Sequence, residues 1–173
     1  INFPELHTTA LNKENADHIV EAKKNVTIVD TVSYKNVTPG EELEVKGVLY
    51  DKNTKKPVMN NGKEVTASAK FTPETSEGSV DVTFTFDASA LVGKSVVAFE
   101  ELSVNGEFCA EHKDKDDENQ TVTFPGLKTT ARDSETDDHV SNADDSITII
   151  DTVEYSGLHV GNEYTITGTL MDQ

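Results

Sequence analysis

Tryptophan is absent, cysteine occurs once, and basic residues are scarce: 15 Lys and Arg stand against 32 Asp and Glu in 173 residues, a formal net charge of −17. Each scarcity excludes something. One cysteine, Cys109, leaves no intramolecular disulfide; an isolated thiol of this kind reads as a small buried hydrophobe and not as a nucleophile. The acidic excess repels phosphate backbones and anionic headgroups, so neither nucleic acid nor a membrane surface is expected as a partner. Apolar runs stay far short of the roughly 20 residues that a spanning helix needs. The chain opens on Ile1 and not on methionine, which reads as an excised or processed piece whose targeting signals lie outside it.

What is present is threonine, valine, aspartate and glycine, the composition of an extracellular β-module, and such modules normally depend on a covalent staple. The length accommodates one large or two small domains. An internal repeat decides between them. Residues 7–51 align without a gap with residues 128–172. Thr8, Thr9, Asp17, His18, Asp30, Thr31, Val32 and Tyr34 return as Thr129, Thr130, Asp138, His139, Asp151, Thr152, Val153 and Tyr155. The first copy continues to Phe124 and the second stops at Gln173, which corresponds to Lys52. The chain therefore divides into a complete module (1–124), a short PGLK hinge (125–128) and the first part of a second module (129–173).

Within the complete module the period is two. β-branched and aromatic stretches at 26–34, 43–50, 65–71, 79–86, 94–102, 107–112 and 120–124 are separated by turn signals such as TPGE (38–41), NNGK (60–63) and NGE (105–107). With a short first strand at LHTTA (6–10), they predict an all-β, immunoglobulin-like antiparallel sandwich. DASALVG (87–93) is expected to form one helical turn.

Polar groups interrupt this pattern at a few places. In VTIVDTVSY the alternation puts Asp30 on the same face as Val26, Ile28, Val32 and Tyr34. A carboxylate there is costly unless it is paired or protonated. Glu100 raises the same question at the end of VVAF, and two inward-facing acids predict a shared proton and a raised pKa. Asp30 taken alone is equally compatible with a carboxylate that accepts backbone N–H bonds, and His112 alone with a surface loop residue. DKDDEN (114–119) reads as a solvated loop or a calcium loop, although the glycine and terminal glutamate of an EF-hand are missing.

Together, Thr8 in HTTA, Asp30 in IVDTVSY, Glu100 in VAFEE and Gln120 closing HKDKDDENQ resemble the threonine-glutamine ester-bond domains of Gram-positive surface adhesins, also described as VaFE repeats. The resemblance covers residues 4–124 and, as the shortened copy, 125–173. It implies an intramolecular ester between Thr8 on the first strand and Gln120 on the last, formed with loss of ammonia, with Asp30, Glu100 and His112 as the catalytic groups. Thr9 is the neighbouring alternative, but it faces the other side of the strand. The motif reads V-A-F-E here, where the family has V-V-F-E.

His112 is expected to take the Thr8 proton and help ammonia leave, and the acid pair to hold the Gln120 carboxamide, in a site formed as the first and last strands pair. Such a module is a structural stalk element and not a turnover enzyme. It needs no metal or cofactor, sits outside the cell on a cell-wall-anchored protein, neighbours further repeats of the same polypeptide, and leaves any host ligand to a distal domain. The second copy has Thr129 and Asp151 but no counterpart of Glu100, His112 or Gln120, so no ester is expected there. Three other readings remain open: an isopeptide module, for which Lys128 is present but His7 stands in the equivalent place; a calcium- or ligand-binding module; and a hydrolase acting on an external substrate.

Overall fold

The computed structural model describes residues 2–143 and 145–172, and over these the chain consists of antiparallel strands and two 3-10 turns. The first copy supplies β1 (Glu5–Asn12), β2 (Val26–Lys35), β3 (Leu43–Asp51), β4 (Thr66–Phe71), β5 (Gly78–Phe86), β6 (Lys94–Val104), β7 (Glu107–His112) and β8 (Thr121–Phe124). The helical turn expected within 87–93 is the 3-10 turn Ser89–Leu91. Two-residue ladders at Lys56–Pro57, Met59–Asn60 and Lys63–Glu64 decorate the β3–β4 connection. Pairs that short leave no periodicity to read in a sequence.

One sheet has the order β1-β2-β5. In the other, β3 lies between β4 and β6. The period-two alternation turns alternate side chains into the gap between the sheets. In β1, Leu6, Thr8, Ala10 and Asn12 are buried while Glu5, His7 and Thr9 are exposed; in β2, Val26, Ile28, Asp30, Val32 and Tyr34 all point inward. Ile28 and Phe84 meet Leu43, Leu49, Leu102 and Phe124 there, each worth about 1.5–3 kcal/mol of burial. The result is the immunoglobulin-like sandwich that the strand pattern predicts.

The topology differs from expectation in one respect that governs the site. The first and last strands do not pair. β1 bonds to β2 and β8 bonds to β6, so the two lie in opposite sheets. β8 has no edge to offer β1. One edge is taken by Lys94–Val97 of β6. On the other, the chain between β1 and β2 runs parallel to it, with Val20 N–H donating to Thr123 O (2.9 Å) and Thr123 N–H to His18 O (2.8 Å). β1 and β8 therefore meet only through side chains that face each other across the sandwich.

β6 is long enough to serve two partners along one edge. β7 pairs with its second half, ending at His112 opposite Glu100, and β8 pairs with its first half, beginning at Thr121 opposite Val97. The acidic loop 113–120 is therefore pinned at both ends to the same strand. It must turn beside residues 98 and 99, and it does so through the second 3-10 turn, Glu118–Gln120.

The second copy forms one hairpin, β9 (Gly126–Asp133) with β10 (Ile149–Ser156). β9 starts inside the stretch read as a hinge. The segment 162–172, which aligns with β3, contains no strand. In the first copy β3 is held on both edges, and no residues equivalent to β4 or β6 lie within 129–173. Ile1 and Gln173, the latter read above as aligned with Lys52, lie outside the described residues.

Candidate functional site

Four of the residues singled out from the sequence converge inside the first sandwich. Thr8 is 5% exposed, Asp30 and Glu100 are 0% exposed, and Gln120 is 1% exposed. Thr8 lies opposite Val32 and Ala10 opposite Asp30, so Thr8 and Asp30 are diagonal neighbours on the inner face of one sheet. Glu100 comes from β6 in the other sheet, and Gln120 from the end of the 3-10 turn beside it. The Gln120 amide Nε2 donates to Glu100 Oε2 at 2.7 Å. Thr9 faces outward.

Five side-chain oxygens in the described residues are buried without a hydrogen-bond partner: Thr8 Oγ1, Asp30 Oδ1 and Oδ2, Glu100 Oε1 and Gln120 Oε1. All belong to these four residues. A buried polar atom left unpaired costs about 1–3 kcal/mol, and native folds rarely tolerate even one without a reason. Such a concentration makes this cluster the candidate site of the fold.

The acids respond to this setting. Burial raises the Asp30 pKa, partly offset by Glu100, the Thr9 N–H, the charge of His112 and the Thr8 hydroxyl. Burial, followed by the neighbouring Asp30, pushes Glu100 up to about 11. At neutral pH the pair keeps a proton. One carboxyl is thus available as an acid while its neighbour can act as a base, and the Thr8 hydroxyl lies beside both.

His112 is half-buried at the end of β7, and its Nε2 lies 3.0 Å from Asp117 Oδ2. Asp117 lies within HKDKDDENQ, yet sequence reasoning gave it no role. It organises the turn. Its Oδ1 caps the Asn119 N–H at 2.9 Å, and its backbone carbonyl accepts from the Gln120 N–H at 3.2 Å and the Thr121 hydroxyl at 2.8 Å. A capping residue three positions before Gln120 was the signal available. Its long-range contact with His112 had none.

The remaining carboxylates of the loop go to separate partners. Asp114 caps the Asp116 N–H at 2.9 Å, Asp116 pairs with Lys115, and Glu118 pairs with Lys52 at 2.9 Å. Among the described residues, no group of three or more His, Cys, Asp or Glu side chains gathers as a metal site would require. Lys128 extends into solvent, 4.0 Å from Glu154. Cys109 is half-buried, not fully buried as expected, at the irregularity in β7; burial, then Glu41, raises its thiol pKa and disfavours the reactive thiolate. Thr129 and Asp151 keep the register of Thr8 and Asp30, opposite Val153 and Ala131, but both are exposed.

The family model of the T-Q ester bond containing domain matches residues 4–124 and again residues 125–173. The chain belongs to this family. Two solved structures share the fold of this T-Q ester bond domain protein. Both are described as a bacterial adhesin from Mobiluncus mulieris containing intramolecular disulfide, isopeptide and ester bond cross-links, in two crystal forms. The first is 16% identical, with a TM-score of 0.55, over 91% of this chain and 75% of that one. The second is 16% identical, with a TM-score of 0.54, over 89% and 76%. At this identity the likeness is one of fold. No curated protein sequence matches the chain.

Proposed function

We propose that the first repeat crosslinks itself, forming an ester between Thr8 Oγ1 and the side-chain carbonyl carbon of Gln120, and that this makes it a structural stalk module of a bacterial surface adhesin. The observation that carries the reading is the burial of an unpartnered hydroxyl and a carboxamide, from the two sides of the sandwich, around an acid pair that keeps one proton.

The chemistry balances without an added reagent. Thr8 Oγ1 attacks the amide carbon; its C–N bond breaks; the hydroxyl proton ends on the departing nitrogen, which leaves as ammonia. Threonine is a weak nucleophile and a primary amide a weak electrophile, so the reaction depends on proximity and on proton transfer in place. Asp30 is suited to accept the Thr8 proton. Glu100, already at 2.7 Å from the nitrogen that departs, is suited to protonate it. His112, held by Asp117, favours the ionised form of Asp30. In this scheme the acid pair takes over the proton relay first assigned to His112, because it adjoins both reacting groups while the His112 Nε2 faces Asp117.

Each molecule reacts once, so the module is not a turnover enzyme. Its product is resistance to force and proteolysis. Because Thr8 and Gln120 come from the two sides of the sandwich, the ester ties its two layers together, replacing the disulfide that a single cysteine cannot make. We assign the parent protein to the outside of a Gram-positive cell, anchored to the wall, with neighbouring repeats as its immediate partners and host contact left to a distal domain. The family match and the adhesin-like fold support this assignment.

Intact mass spectrometry of the unfolded chain tests the proposal. Loss of ammonia lowers the mass by about 17 Da, once per chain. Peptide mapping then joins a Thr8 peptide to a Gln120 peptide. An unshifted mass, or a link through Thr9, overturns the assignment.

A further inference from the structure

The joint between the two repeats is closely packed. β9 begins two residues beyond Phe124, the last residue of β8, with only Pro125 between them. Gly93 N–H donates to the Phe124 carbonyl at 2.7 Å, fixing the turn before β6 against the end of β8. The turn that follows β10 lies on this platform. A Cβ built on Gly157 would come within 2.8 Å of Phe124 O and 3.0 Å of the Gly93 carbonyl carbon. One on Gly126 would meet Val92 Cγ1 at 2.9 Å and Gly93 N at 3.2 Å, and one on Gly93 would run into Ser156 Oγ.

A second contact lies beside it. The His159 ring stacks on His18, with centroids 6.5 Å apart and planes 25° from parallel. His159 Nε2 is 3.5 Å from Glu118 Oε2, and Glu118 is in turn held by Lys52. His18 is fixed from behind, its Nδ1 3.0 Å from Thr121 O.

The two copies differ at the positions that touch. Gly126, Gly157 and His159 stand where the first copy has Glu5, Asn36 and Thr38. Gly157 has φ 64° and Asn36 has φ 61°. Asparagine thus satisfies the same left-handed backbone in the first copy, and backbone conformation does not require glycine at 157. The approach of Phe124 and Gly93 does. The same holds for Gly126, where a side chain as long as Glu5 would meet Val92 and Gly93.

We propose that Gly93, Phe124, His18 and Glu118 form a seat for the turn of the repeat that follows, and that this seat locks consecutive repeats end to end. Its partner is a repeat of this family with glycine at the positions of Glu5 and Asn36 and histidine at that of Thr38. A repeat carrying Glu5, Asn36 and Thr38 cannot occupy it, so the seat discriminates among repeats as well as holding them.

Backbone NMR of the full chain tests this. One alignment tensor fits the residual dipolar couplings of residues 5–124 and 126–156 together, and the two segments share one rotational correlation time. Gly157→Asn keeps the backbone conformation seen at Asn36 but introduces the Cβ clash; the couplings then need two tensors and the hairpin tumbles faster than the sandwich. His159→Ala removes a ring current and shifts the His18 ring protons. Separate tensors in the unaltered chain, a single tensor in Gly157→Asn, or unmoved His18 resonances in His159→Ala overturn the proposal. The seat does not depend on the ester, and the intact mass of the same sample separates failure of one from failure of the other.

Discussion

The two copies carry the same first half of the site in different surroundings. Thr8 and Asp30 sit on β1 and β2 in the same register as Thr129 and Asp151 on β9 and β10. In the first copy both are buried, Asp30 has a raised pKa, and the Thr8 hydroxyl has no partner. In the second both are exposed. Local sequence builds the hairpin and its register; the proposed reaction also requires the opposing sheet, which excludes water and brings in Glu100 and Gln120.

The contrast is broken most severely by removing the nucleophile. Thr8→Ala abolishes the ammonia loss, Thr8→Ser retains it at reduced yield, and Thr129→Ala leaves the mass as it is in the unaltered protein. Because the proposed ester would close a loop of more than 100 residues, the uncrosslinked Thr8→Ala protein is expected to be less stable in urea by on the order of 4 to 5 kcal/mol. Equal mass shifts in the Thr8→Ala and unaltered proteins would place the bond elsewhere.

The acid pair sharpens the comparison through pH. Glu100 is raised to about 11 in the fold, whereas in the unfolded chain it ionises near its ordinary value of about 4.3. The fold therefore binds the proton more tightly. Its stability is greatest below the unfolded pKa and declines as pH rises toward the folded one, by up to about 1.4 kcal/mol per pH unit. Urea melts of Thr8→Ala between pH 5 and 8 show this slope, and adding Glu100→Gln flattens it. Self-repulsion of the net charge of −17 acts equally on both variants and cancels. An unchanged slope would mean that Glu100 does not hold the proton. The smallest effect belongs to the second copy: Asp151→Ala changes stability by less than about 0.5 kcal/mol, as an exposed carboxylate should.

Much of the site was legible because period-two alternation is a local property. It placed Asp30 inward, separated Thr8 from Thr9, and marked Glu100 as an inward acid. What stayed hidden depends on which strands share an edge. Nothing in HKDKDDENQ announces that β7 and β8 lie along one side of β6, and it is this arrangement that presses Gln120 against Glu100. The same blindness led to the expectation that first and last strands pair, and left Asp117 without a role. PGLK looked like a hinge because proline and glycine mark turns; here Gly126 is small to admit Val92 and Gly93, and β9 is already under way.

The placement of the two reacting residues also orders events in time. Thr8 leaves the ribosome near the beginning of the repeat and Gln120 almost at its end, on a turn held between β7 and β8, which both pair with β6. The proposed bond between them could close only on a repeat that has been synthesised to its last strand and folded around its acid pair. A chain that stalled, was clipped or misfolded would keep its ammonia. On this proposal sealing would work as a proof of assembly, and a fibre built of such repeats would carry, repeat by repeat, a covalent record of which ones folded to completion.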